Sequence, residues 1–437
     1  MSKKTQTITR KIKLQPVGDK EEINRVYKFL RDGMYAQNRA YNILISTVFS
    51  AIVSGKSADE IKEIYKRGQR KPKELDSEYS LYKYDDFVFP TGTQTPPSVA
   101  RRVRADIEKA KNDGLFKGNV SLPNKKREAP LIVEKQEFSL YHPYESDEEF
   151  YDKLFSSSLE VYMKYVNGIV FKFVLGRVDK SEELRSVIRN IFDGIYQVQG
   201  SSIQIIDKKD KNEIILNLSI AIPIQEIKLN EDTVVGVDLG LAVPAVCSLN
   251  NKKYVKQFIG SADDFLRVRT QLRSQRKRLQ CSLKYAVGGH GRKKKLKPMD
   301  RFRLKEHHYA ETYNHMVSRR VVQFALKHKA KYINMEDLKG FDSSNYILSN
   351  WSFYQLQQYI TYKAKMYGIE VRKVNPYRTS QICSCCGHWE EGQRISQSEF
   401  VCKNPECKNY NKTVNADFNA SRNIAMSTDF VTKKKNK

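Results

Sequence analysis

The alternation Thr7, Ile8, Thr9, Arg10, Lys11, Ile12, Lys13, Leu14 predicts a strand that Pro16 and Gly18 end. From residue 21 to about 53 the apolar positions change to helical spacing, with Ile23, Val26, Tyr27, Leu30 and Met34 on one stripe. A second helical pattern starts near Ser57, and a polar stretch holding Pro90, Gly92, Pro96 and Pro97 leads into a basic helix over 98–112. Proline suits a helix start, where its missing N–H had no partner to lose. From 120 to 227 short β-rich runs dominate, at 131–133, 168–175, 202–206 and 214–222, interrupted by a helix over about 180–196. Strands on both sides of a helical stretch suggest a β-barrel-like module with residues 21–120 inserted into it. After Pro223 an apolar strand over 234–239 and a hairpin partner over 243–249 precede basic helices that run to about 329. A strand over 332–335, a helix over 352–367 and a strand over 369–374 then complete what reads as an α/β layer.

Charge sharpens this outline. The chain of 437 residues carries 77 Lys and Arg against 50 Asp and Glu, a formal net charge of +27. Such a balance suits polyphosphate partners, because each neutralised phosphate releases counterions. A generally basic surface kept for solubility would spread its charge. Here 15 basic residues and the single acid Asp300 fall within 267–305. No apolar run is long enough to span a bilayer and no signal peptide opens the chain, so a cytoplasmic location is expected.

Three acids stand in unusual settings. Asp238 ends the apolar run Val235-Gly236-Val237, Glu336 ends Tyr332-Ile333-Asn334-Met335, and Asp417 opens a helical pattern in Asn415-Ala416-Asp417-Phe418-Asn419-Ala420-Ser421-Arg422-Asn423. Singly, a strand-end Asp is usually a turn former and a helix-start Asp a cap. Brought together, three carboxylates would repel one another and call for a divalent cation. Two Mg²⁺ ions so held suit a phosphodiester displacement. Five of the seven cysteines lie within 25 residues. Cys383-x2-Cys386 and Cys402-x4-Cys407 can place four thiolates around one structural Zn²⁺, although Cys385 could replace a neighbour.

The segments Gly236-Val237-Asp238-Leu239-Gly240, Asn334-Met335-Glu336-Asp337-Leu338, Thr379-Ser380-Gln381-Ile382-Cys383-Ser384-Cys385-Cys386-Gly387 and 415–424 together resemble the RuvC-type nucleases of the TnpB group. Small size, the long second cysteine knuckle and the enlarged N-terminal half look most like the miniature type V-F CRISPR effectors within it. The resemblance implies an α+β multidomain fold: an RNase H-like (RuvC) α/β nuclease domain with a zinc-binding insert, plus a β-barrel-like wedge domain with a helical recognition insert. The wedge would occupy 1–20 and 121–225 around the insert 21–120. The nuclease domain would occupy 226–376, with the basic helices 267–305, and 413–428. A zinc-binding, target-nucleic-acid-binding module would fill 377–412, and 429–437 would be a basic tail.

The resemblance further implies Asp238, Glu336 and Asp417 as Mg²⁺ ligands, the loop 339–350 as an active-site lid, and a guide RNA and target DNA as partners. Two protein copies would share one guide RNA. The alternatives in view are a transposon-encoded TnpB-type nuclease and a guided DNA-binding protein that does not cut. Arg273, Arg276, Lys277, Arg278, Arg292 and Lys293 are the expected lining of a heteroduplex channel. Ser98, Arg101 and Arg102 are the candidate readers of a short duplex motif beside the target, or simply phosphate contacts. Arg394, inside the cysteine-bearing segment, could assist transition-state charge. Tyr27, Tyr35 and Tyr41 could stack on bases or fill a helical core.

Overall fold

A computed structural model describes residues 5–69, 95–207, 212–225, 227–240, 243–284, 292–337 and 353–431. The expected lid, 339–350, lies outside these. The chain divides into two compact units, Thr7–Pro223 and Ile224–Lys437, the latter with Met1–Gln6.

The first unit comprises β1 (Thr5–Pro16), α1 (Lys20–Val53), α2 (Ala58–Gln69), α3 (Thr95–Asn112), β2 (Leu131–Val133), β3 (Phe138–Tyr141), α4 (Asp147–Lys153), β4 (Tyr162–Tyr165), β5 (Val170–Val174), α5 (Val178–Phe192), β6 (Gln197–Val198), β7 (Ser201–Ile206) and β8 (Glu213–Pro223). The strands form one sheet in the order β2-β7-β8-β1-β5-β4-β3, with β6 added on β8. Laid flat, seven strands would separate β2 from β3 by about 29 Å. Yet the chain leaves β2 at Val133 and enters β3 at Phe138, a link that spans at most about 18 Å. The sheet must therefore curl.

Its inner face is the alternating apolar set of the strands, for example Ile214, Leu216, Leu218 and Ile220 of β8, all fully buried. Helix α1 starts at a capping box, with the Asp19 side chain accepting from Glu22 N at 2.8 Å and Glu22 reaching back to Asp19 N at 2.9 Å. The stripe of this 34-residue helix is shared between two cores. Val26, Leu30 and Met34 cover the curled sheet, whereas Tyr41, Leu44, Ile45 and Val48 pack with Ile64 of α2 and Val99, Val103 and Ile107 of α3. A helix about 50 Å long can serve both because its stripe continues past the sheet edge.

The second unit comprises β9 (Asn230–Asp238), β10 (Ala245–Leu249), β11 (Lys256–Ile259), α6 (Ala262–Leu283), α7 (Arg292–Lys327), β12 (Ala330–Glu336), α8 (Phe353–Lys365), β13 (Glu370–Val374), β14 (Glu399–Val401), β15 (Thr413–Asn415) and α9 (Ala416–Met426). Its main sheet runs β11-β10-β9-β12-β13. The hairpin strands β9, β10 and β11 are antiparallel, while β12 lies parallel to both β9 and β13. Val235, Val237, Ile333 and Met335 bury one face against Val317, Val321 and Ala325 of α7 and Leu356 and Ile360 of α8. Strands β14 and β15 form a separate antiparallel pair around Phe400 and the cysteines.

Candidate active site and metal centre

Side chains of a strand alternate between faces, so Gly236 and Asp238 point away from the face that Val235 and Val237 bury. On β12 the same alternation pairs Asn334 and Glu336. The parallel register sets Asn334 opposite Gly236 and Met335 opposite Val237. One step further, Asp238 and Glu336 end adjacent strands at the same edge of the sheet, on backbones about 4.8 Å apart. In sheets of this kind ligands bind outside the carboxyl ends of the strands.

Helix α9 covers this second face, and small residues let it come unusually close. A Cβ at Gly236 would sit 2.0 Å from the Ser421 carbonyl oxygen and 2.3 Å from Ala425 N. Asn334 fixes the far end of the helix by donating to the Ile424 carbonyl at 3.0 Å. At the near end Asn415 caps the helix, accepting from Phe418 N at 2.8 Å. That cap leaves Asp417, in the first turn, facing the end of β9: its Oδ2 would lie 3.7 Å from a Cβ on Gly240. Asn419 and Asn423, one turn apart, donate to the Ile382 carbonyl at 2.7 Å each, and Asn419 also accepts from Ser384 N at 2.8 Å. The repeated asparagines of this motif thus tie the helix to the chain that leads into the cysteines.

The electrostatics tie Asp238 to the other two acids. Burial pushes the Asp238 carboxyl well above the usual carboxylate range, and the charges of Glu336 and Asp417 push it further, against the pull of Arg394. Burial also raises Glu336, opposed by a hydrogen bond from the Thr379 hydroxyl and by Arg394. Asp417 is raised by burial and lowered by the same guanidinium. Arg394 is aimed by its own hairpin, donating from Nη2 to the Gln397 carbonyl at 2.9 Å. Three acids that resist ionisation beside one arginine are a set of hard oxygen donors short of positive charge. Their oxygens suit a divalent cation in chemistry, while among the described residues only the four cysteines bring ligand atoms within 4.8 Å of one another.

The second centre is made of sulfur. The Sγ atoms of Cys383, Cys386, Cys402 and Cys407 all lie within 4.8 Å of one another, and Cys385 is outside this group. Cys383 and Cys407 are 3.8 Å apart, Cys386 and Cys402 3.7 Å. Backbone amides of Cys385 and Cys386 point at Cys383, that of Asn404 at Cys402 and that of Asn409 at Cys407. Such N–H···S contacts stabilise thiolates, so both knuckles are shaped to hold a metal ion.

The basic candidates are more dispersed. Arg276 of α6 pairs with Glu306 of α7 at 2.9 Å, whereas Lys277 and Arg278 are exposed. Arg273 is half-buried on the same helix. Arg292 and Lys293 begin α7, with side chains outside the described residues. Ser98 is buried and donates to Glu134, which Arg101 also meets at 2.6 Å; Arg102 is half-buried. Tyr41 is core, donating to Asp106 at 2.6 Å, and Tyr27 donates to the Asn212 carbonyl at 3.0 Å. Tyr35 alone of the three is exposed, with the Arg127 guanidinium 4.7 Å above its ring. Sequence reading gave no role to Thr379, Gln357, Asn334 or Asn423. Gln357 holds the Glu336 carbonyl at 2.9 Å from 21 residues away, a pairing no local spacing reveals.

Known proteins are similar to this chain in sequence and in fold. The CRISPR-associated endodeoxyribonuclease Cas12f1 of Sulfoacidibacillus thermotolerans is 35% identical over 327 residues, 74% of each chain. This chain belongs to the Cas12f1 family. The Cas12f1 of Syntrophomonas palmitatica is 30% identical over 374 residues, 76% of this chain and 73% of the relative. The family model described as the Cas12f1-like TNB domain matches residues 353–424, which hold the cysteines, Arg394 and Asp417. TnpB-like protein MJ0751 of Methanocaldococcus jannaschii shares 34% identity over 136 residues, 29% of this chain and 45% of the relative. In fold, the chain matches a Cas12f1 chain solved as a Cas12f1–sgRNA–target DNA complex, with a TM-score of 0.71 at 18% identity over 96% of this chain and 99% of that one. No helix among the described residues is long and apolar enough to cross a membrane.

Proposed function

We propose that this Cas12f1-family chain is an RNA-guided DNA endonuclease of a CRISPR system, and that Asp238, Glu336 and Asp417 are its single cutting site. The observation that carries the reading is that Asp238, at the carboxyl end of β9, feels the charges of Glu336, Asp417 and Arg394, and that burial raises all three acids. The sheet order, a three-stranded antiparallel hairpin set joined to two parallel strands, supports an RNase H-like (RuvC) identity for the second unit. The curled sheet with α1–α3 between β1 and β2 supports a wedge domain carrying a helical recognition insert.

Asp238, Glu336 and Asp417 would hold two Mg²⁺ ions, which when bound stabilise the attacking and leaving oxygens of phosphodiester hydrolysis. Thr379 orients Glu336 through its hydroxyl, and Gln357 fixes the backbone behind it. Arg394 places a permanent positive charge where negative charge develops on the phosphate. A zinc–thiolate bond of about 2.3 Å implies sulfurs about 3.8 Å apart in a tetrahedron. The separations of 3.7 and 3.8 Å fit one structural Zn²⁺. The ion would stabilise a segment whose core is little more than Phe400 and Ala416.

The partners would be a guide RNA, shared by two copies of the chain, and the DNA it selects. Lys277 and Arg278 on α6 offer charge to a heteroduplex backbone. A TnpB-type role is disfavoured by coverage, since the TnpB-like relative matches less than a third of this chain. A guided binder that does not cut would have no use for three costly acids at the end of apolar elements. The test is to sequence RNA that copurifies with the protein and assay Mg²⁺-dependent cutting of a matching duplex. Asp238→Ala should abolish cutting and leave target binding nearly intact; loss of target binding in the folded variant would overturn the site assignment.

A further inference from the structure

Just before the cysteines the structure exposes an assembly that neither the carboxylate site nor the metal centre uses. Arg378 adopts a left-handed backbone, φ 57°, unusual for a side-chain-bearing residue. Its guanidinium lies 3.6 Å over the Trp389 ring and 4.9 Å from the Tyr377 ring. These are stacking distances, yet the rings are not buried: Tyr377 is 67% exposed and Trp389 41%.

The assembly is also pinned. Gln381 accepts from the Trp389 indole at 3.3 Å, and the Arg378 carbonyl accepts from Gln381 N at 2.9 Å and Ile382 N at 3.1 Å. On the other side Tyr377 N donates to Asn375 Oδ1 at 3.1 Å, and Asn375 is itself tied to Asp429 at 3.0 Å. The next residue, Thr379, is the one whose hydroxyl holds Glu336. Two exposed aromatic rings and a cation, the cation next in sequence to the residue that holds Glu336, have a clear chemical complement.

We propose that Tyr377, Arg378 and Trp389 form a stacking platform for the unpaired bases of a single nucleic-acid strand delivered to the carboxylates. The proposal rests on the reading of those carboxylates as the cutting site and names the form in which substrate reaches it. A base inside a duplex shows an edge to a protein, whereas an unpaired base shows the face a ring can stack on. The guanidinium adds cation–π attraction and charge toward the strand's phosphates. Its left-handed backbone is strained, and the fixed direction of the stack accounts for that strain.

The experiment uses the full chain with Asp238→Ala, without chelator and without added Mg²⁺, so that nothing is cut and the zinc stays in place. The chain has two tryptophans, so Trp351→Phe leaves Trp389 as the only indole reporter. A short oligothymidylate should quench Trp389 fluorescence to saturation, and an abasic strand of equal length and charge should not. Tyr377→Ala and Arg378→Gln should each weaken the oligothymidylate about tenfold at unchanged zinc content. For a Trp389→Ala chain that folds poorly, Trp389→Phe should retain binding, followed by strand anisotropy. Equal quenching by both strands, no quenching by either, or unaltered affinity in the variants would overturn the platform. None of these readouts depends on cutting, so a failure of the carboxylate assignment would appear separately, as cleavage surviving in Asp238→Ala.

Discussion

Gly236→Ala is the most demanding perturbation of the proposed site, because it adds one methyl and touches no charged group. Ordinary van der Waals contact begins near 3.4 Å, and the new Cβ would stand 2.0 Å from the Ser421 carbonyl oxygen, 2.3 Å from Ala425 N and 2.8 Å from Ala425 Cα. All three are backbone atoms, so no rotamer change relieves them. Helix α9 must withdraw from β9 by roughly 1.4 Å, the difference between 3.4 and 2.0. Overpacking that a core cannot absorb costs about 3 kcal/mol, which for a unit of roughly 220 residues lowers the melting temperature by roughly 6–12 °C.

The same withdrawal carries Asp417 away from Asp238 and Glu336. A misplacement of about 1 Å at a reacting centre costs on the order of 100-fold in rate. The assay is Mg²⁺-dependent cleavage of a guide-matched target, with thermal melting and zinc content measured on the same preparation. Zinc should be retained, since the cysteines precede the helix. Gly240→Ala is a milder perturbation of the same site, because its Cβ would meet Val243 O at 3.0 Å and approach Asp417 at 3.7 Å. Cleavage within about threefold of the parent and an unchanged melt for Gly236→Ala would refute the claim that α9 positions Asp417 by direct backbone contact.

Withholding Mg²⁺ gives a second test with a definite sign. The Asp238 carboxyl is raised in the folded state, so it binds its proton more tightly there than in the unfolded chain, and Mg²⁺-free stability should fall as pH rises from about 4 through that raised value. Without added Mg²⁺ and without chelator at neutral pH, Asp238→Asn should therefore melt higher than the parent and lose that part of the pH dependence; a lower melt would contradict the acid cluster. Arg394→Ala should slow cutting roughly 100-fold without weakening Mg²⁺ binding, as read by metal titration, because the guanidinium competes with the cation for the same acids. Cys402→Ala should release about one zinc per chain by atomic absorption and destabilise the segment around Phe400, and unchanged metal content would refute the four-cysteine centre.

Much of this protein is written locally. A period of two at the start and of near four from residue 21 onward correctly announced β1 and α1, and the cysteine spacing announced a metal centre before any fold was in hand. The three acids were conspicuous because an ionised carboxylate ending an apolar strand is costly wherever it lies. Weaker signals failed in 138–165, where β3, α4 and β4 are each seven residues or fewer and carry too few positions for a period to show. Ser98 and Arg101 looked like free polar groups on a basic helix until Glu134, 36 residues from Ser98, engaged both.

What the sequence by itself determined is therefore the inventory: which residues are chemically expensive, which helices are basic, and which cysteines can share an ion. The tertiary structure alone decided that the inventory meets. Asp238 and Glu336 become neighbours through a parallel register nearly a hundred residues apart, Asp417 joins them because Gly236 lets a helix backbone touch the sheet, and Thr379 reaches Glu336 from the edge of the metal module. The physical reason is the range of the forces. Periodicity and ligand spacing act within a few residues and leave a trace in the chain, whereas close packing and charge repulsion act between atoms in contact, whatever their distance in sequence.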